Sequence, residues 1–163
     1  MVRSLVIGYG NLERQDDGVA FYVVNRLRRR LAQQPLSWDE DGMSRLDRLT
    51  DSVFIRQLTP ELIEAIAHYD RVIFVDAQVP ADSPNLLCTR LYPGVGTPLF
   101  SHHMHPEMLL GFLKAVYERE PVSHLLTIQG SRFELKRGLS VKTAAIVAPA
   151  TEMILEMLGT DRD

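Results

Sequence analysis

The 163-residue sequence is 45% hydrophobic and carries 18 Lys and Arg against 21 Asp and Glu, a formal net charge of −3. This is enough apolar material for one buried core; with no composition break or linker, residues 1–163 read as a single domain. The slight acidity excludes a general electrostatic attraction to nucleic acid or anionic membrane, and the lone Cys88 excludes an internal disulfide and a cysteine-rich zinc site.

The N-terminal "MVRSLVIGYGNLERQDD" meets charge too soon for a signal peptide, and nowhere do eighteen apolar residues run together. A cytoplasmic protein is expected. Residues 2–8 form a short apolar run closed by glycine, as a buried strand does. "DDGVAFYVVNRLRRRLAQQ" then sets Val19, Val23, Leu27 and Leu31 on one helical face, with acids in the first turn and arginines in the last. Those arginines suit the carbonyl end of a helix dipole better than a binding surface.

Residues 35–51, "PLSWDEDGMSRLDRLTD", have no clean period and five acids, and read as an irregular or poorly ordered surface connection. "SVFIRQL" is strand-like. "TPELIEAIAHY" predicts a helix with Thr59 as N-cap and Pro60 in its first position. "RVIFVDA" is a nearly continuous apolar run ending in an acid, the pattern of a central strand buried on both faces. "LLCTRLY" as a strand, "PEMLLGFLKAVYERE" as a helix, "HLLTIQG" as a strand and "KTAAIVAPATEMILEML" as a helix disturbed at Pro149 complete the chain. This alternation predicts a three-layer αβα sandwich around a largely parallel, Rossmann-like sheet of five strands. Ligands of such sheets bind beyond the carboxyl ends of the strands.

Three loops could open on that edge. "GYGNLERQDDGVA" supplies Asn11, Glu13, Asp16 and Asp17, the end of "VIFVDA" supplies Asp76, and "SHHMHP" supplies His102, His103 and His105. Gly8 and Gly10 begin a dinucleotide fingerprint, but Glu13 stands where the third glycine belongs, and no Gly-Lys-Ser/Thr makes a phosphate loop. Acids at the mouth would repel phosphate. Taken singly, Asp16 and Asp17 are a helix cap and a dipole partner, Asp76 is a turn cap, and His105 only leads into its helix. Together, carboxylates and imidazole from separate segments are donors suited to a divalent transition metal. Gly8 and Gly10 would let the loop turn tightly, Asn11 would brace it through its side chain, and Asp16 would cap the helix. Cys88 has no base nearby in sequence and reads as a small apolar residue.

In their order and spacing, "GYGNLERQDDGVA", "QLTPEL", "VIFVDA" and "SHHMHPEMLL" resemble the hydrogenase maturation endopeptidases, over most of the chain. The resemblance implies an aspartic-type endopeptidase that removes a C-terminal extension from a nickel-iron hydrogenase large-subunit precursor after nickel insertion. Its partner would be that precursor, the nickel would be carried by the substrate, and no organic cofactor is expected. Carried over by position, the metal-binding and catalytic residues are Asp17, Asp76 and His103, with His102 the alternative imidazole. A non-catalytic docking module for the same subunit and a nucleotide-binding domain stand as alternatives.

Overall fold

The computed structural model describes residues 1–94 and 104–159. Among the described residues, five strands form one sheet: β1 (Ser4–Tyr9), β2 (Thr50–Ile55), β3 (Arg71–Gln78), β4 (Leu86–Leu91) and β5 (Val122–Gln129). Their order is β2-β1-β3-β5-β4, with only the edge strand β4 antiparallel. The described residues cover it with four α-helices: α1 (Val19–Arg30), α2 (Leu62–Ile66), α3 (Pro106–Tyr117) and α4 (Val141–Gly159). The layered, mostly parallel α/β architecture expected from the alternation is what forms. No helix among the described residues is long and apolar enough to cross a membrane.

Side chains alternate across a strand, so each central strand feeds two cores. Val6, Ile73, Val75, Leu126 and Ile128 pack with residues of α1 and α4 on one face. Leu5, Ile7, Val72 and Phe74 pack with residues of α2 and α3 on the other. Burial on both sides explains why β1 and β3 read as continuous apolar runs.

Differences from the sequence reading have local causes. Helix α2 starts at Leu62 rather than Pro60, because Thr59 and Pro60 are spent on a preceding turn in which their carbonyls accept Leu62 and Ile63 N–H. Strand β2 begins at Thr50, inside the stretch assigned to a loop. The rest of that stretch is irregular yet anchored. Leu36 is buried, its N–H and carbonyl bound by the Asn25 side chain at 2.7 and 2.9 Å, and Trp38 stacks on Phe21. Pro149 lies within α4 without ending it.

The order β2-β1-β3 carries the functional consequence. The chain leaves β1 toward one side to form β2 and returns on its other side to form β3, so the strand order reverses between β1 and β3. At such a switch point the connections diverge and leave a crevice at the carboxyl edge.

Candidate functional site

The loop leaving β1 is shaped by its glycines and by Asn11. Gly10 has φ +148°, and a Cβ there would stand 2.0 Å from the Asp17 carbonyl oxygen, so only glycine fits this close approach. Gly8 has a different role from the tight turn expected of it. It lies within β1, where a Cβ would meet Val24 Cγ2 at 2.9 Å and Ala20 Cβ at 3.0 Å, so its bareness seats α1 on the sheet. Asn11 braces the loop as expected, its Oδ1 accepting Glu13 N–H at 2.9 Å.

Asp16 and Asp17 sit together on a single 3-10 turn (Gln15–Gly18) but part company at once. Asp16 is fully buried and is not the cap of α1; neither the 3-10 turn nor α1 has a side-chain cap. Its carboxylate instead accepts Ser131 and Arg132 N–H at 2.8 and 2.9 Å, Ser140 N–H and hydroxyl at 2.8 and 2.7 Å, and the Thr143 hydroxyl at 2.9 Å. Burial works against its charge, but the donors from Ser140, Ser131 and Arg132 outweigh it and hold the pKa below the ordinary value. Asp16 thus ties the β1 loop to the start of α4, its buried carboxylate spent on donors of the fold and not on the cavity.

Asp17 takes the other direction. Its Oδ2 accepts Asn11 N–H at 2.8 Å, and the side chain lines a cavity of about 770 Å³ at the switch point. Asp76, near the end of β3, lines the same cavity. It continues the Val72–Phe74 face, and because Gly8 pairs with Val75, the next rung sets Asp76 beside Tyr9. Burial, chiefly, and then the Asp17 charge push its pKa up to about 7, against the Tyr9 hydroxyl and the Ala77 N–H, which favour the anion. Tyr9 is raised in turn by burial and by Asp76.

The structure therefore brings Asp17 and Asp76 together from separate segments. His102 and His103 lie outside the described residues, and among the described residues no group of three His, Cys, Asp or Glu is assembled to hold a metal. His105, which the sequence assigned only to the helix entry, does stand at the N-cap position of α3 but also lines the cavity, with Met104 beside it. Sequence reasoning passed over Tyr9, Arg14 and Arg56, all of which line it too. The signal for Tyr9 was its parity with Leu5 and Ile7. Arg56 gave none, since only the parallel pairing of β2 with β1 brings it there. Cys88, on β4, stays a free thiol packed near Met157, its pKa raised by burial.

Two carboxylates with an imidazole can hold a divalent cation, and the carboxylate that titrates near neutrality can also move a proton. No family model and no curated protein matches the chain. Solved structures do. The hydrogenase maturating endopeptidase HybD from E. coli superposes with a TM-score of 0.69 at 21% identity, over 96% of this chain and 91% of that one. The [NiFe] hydrogenase maturation protease HycI from Thermococcus kodakarensis gives 0.67 at 20% identity, over 96% and 92%. A hydrogenase 2 maturation peptidase from a Thaumarchaeota archaeon gives 0.60 at 21%, over 98% and 99%. At this identity the likeness speaks for architecture: the chain has the fold of the hydrogenase maturation endopeptidases.

Proposed function

We propose that this protein is a cytoplasmic hydrogenase maturation endopeptidase that removes the C-terminal extension of a nickel-loaded [NiFe] hydrogenase large-subunit precursor. The observation that carries the reading is the meeting of Asp17 and Asp76 in one cavity at the switch point of this fold. The nickel arrives with the substrate, and Asp17, Asp76 and His103 grip it. An incomplete, carboxylate-rich set suits this task, because it favours a hard-to-intermediate cation without the thiolates of a tight resident site.

The chain's own contribution to peptide hydrolysis follows from Asp76. With a pKa near 7 it holds a proton part of the time at neutral pH. A carboxylate so poised accepts a proton from water as the water oxygen bonds to the scissile carbonyl carbon, and returns it to the amine nitrogen as the C–N bond breaks. Asp17 sustains the cation and, through its charge, the elevated pKa of its neighbour. Tyr9 and the Ala77 N–H orient Asp76.

Mass spectrometry of the large-subunit precursor, incubated with this protein with and without nickel, tests the reading. A single nickel-dependent loss of the C-terminal extension is expected, abolished by Asp17→Asn, Asp76→Asn or His103→Ala in folded protein. Full processing by all three variants refutes the assignment. A precursor that binds yet keeps its mass points instead to a module that inspects without cutting.

A further inference from the structure

The cavity holding Asp17 and Asp76 is also lined by two arginines. Arg14 precedes the 3-10 turn of the β1 loop, and Arg56 follows β2 directly. Both are exposed, and among the described residues neither guanidinium has a hydrogen-bond or ion-pair partner. Several of the chain's other arginines are committed to the fold. Arg137 pairs with Glu13 at 2.8 Å and lies over Trp38, Arg28 donates to the Ser52 carbonyl at 2.9 Å, and Arg3 donates to the Leu46 carbonyl at 2.8 Å.

Nor do the cations neutralise the acids beside them. The Asp17 carboxylate is met by Asn11 N–H, and Asp76 by Tyr9 and Ala77 N–H. The cavity therefore presents two carboxylates together with two uncommitted guanidiniums. For a bare aqueous cation this is a poor design, since fixed positive charge nearby opposes its entry. It is a good design for a cation that comes with anions around it.

A transition metal held in a polypeptide is such a ligand, because its protein donors are deprotonated thiolates or carboxylates. We propose that Arg14 and Arg56 recognise the anionic donor shell of the substrate's metal centre while Asp17 and Asp76 recognise its cation. The inference rests on the reading that the substrate carries its metal in place. Guanidinium suits the role, being always charged and able to hold a carboxylate or sulfur anion through several N–H groups. The cavity then discriminates a metal in its protein site from the same metal in solution, and the arginines are what makes the difference.

The test uses the full chain with the paired substitutions Arg14→Gln/Arg56→Gln and Arg14→Lys/Arg56→Lys. Affinity for free Ni²⁺ is measured by calorimetry, affinity for the nickel-loaded precursor by biolayer interferometry, and precursor shortening by mass spectrometry. The glutamine pair is expected to bind free Ni²⁺ severalfold more tightly and the loaded precursor about tenfold more weakly, at about threefold for each exposed charge contact. The lysine pair should recover part of the precursor affinity. Unchanged precursor affinity, or a parallel weakening for free Ni²⁺ and precursor, overturns the inference. Wild-type protein that binds the loaded precursor without shortening it refutes the endopeptidase reading and leaves the arginine comparison decisive on its own terms.

Discussion

Replacing Asp76 with asparagine should stabilise the protein at pH 8 and have less and less effect as the pH falls toward 4. The reason lies in the carboxylate's environment. Its folded-state pKa is raised from 3.8 to about 7, first by burial and then by the charge of Asp17. A raised folded pKa means that the native state binds the proton more tightly than the unfolded chain. Stability gained from holding that proton is complete below the unfolded value, and it is lost as the pH rises through about 7. Above that, the fold carries an ion that burial and Asp17 both disfavour.

The displacement corresponds to about 4 kcal/mol at most, at about 1.36 kcal/mol per pH unit. Urea unfolding of wild type and Asp76→Asn, at intervals from pH 4.5 to 8.5, isolates the term. Titrations that are not coupled to Asp76 are common to both proteins and cancel in the difference. The variant's advantage should grow by about 3 kcal/mol across that range, with most of the change between pH 4.5 and 7. A difference independent of pH would show that Asp76 titrates as an ordinary carboxylate, and the argument for a proton-moving group in the cavity would go with it.

The neighbouring acid should behave in the opposite way. Asp16 has its pKa held low by buried donors, so the stability it supplies is full above the unfolded value and is lost as acid protonates it; Asp16→Asn should cost about 2–4 kcal/mol at pH 7 and less at pH 3, measured by urea midpoints. Asp17→Asn keeps an acceptor for the Asn11 N–H, so its thermal midpoint should stay within a few degrees of wild type while precursor processing disappears. Gly10→Ala should destabilise by about 2–3 kcal/mol and impair processing, since the new methyl group meets the Asp17 carbonyl; wild-type stability by calorimetry would contradict the close approach. Tyr9→Phe should fold and lower the apparent pKa-dependent processing rate severalfold, with the circular dichroism spectrum unchanged.

The layered fold was legible because its signals are local. A doubly buried strand needs an unbroken apolar run, as in "RVIFVDA", and a covering helix needs a stripe, as in α1, and both can be seen within a few residues. Boundaries were less legible where one turn competes with another. Thr59-Pro60 has the composition of a helix start, yet the same residues make a good turn, and the backbone used them so. The 35–51 stretch looked structureless because its anchors lie far away in sequence: Asn25 for Leu36, Phe21 for Trp38, Arg3 for the Leu46 carbonyl.

The site divides along the same line. Asp76 stands out as an acid closing an apolar run, whereas Asp17, on a turn beyond β1, is told from Asp16 only by the resemblance to the hydrogenase maturation endopeptidases. What their neighbours do could not be read, since it depends on registers between strands. Tyr9 reaches Asp76 only because Gly8 pairs with Val75, and Arg56 reaches the cavity only because β2 is laid parallel to β1 with Tyr9 opposite Ile55. A one-residue slip in either pairing would turn the same side chains to the opposite face. Adjacent Asp16 and Asp17 make the point most sharply. Identical in chemistry, they are separated by a single 3-10 step that sends one into the donors around Ser140, where its charge serves the fold, and the other to the cavity with Asp76, where its carboxylate holds the Asn11 N–H and faces the space a ligand would enter.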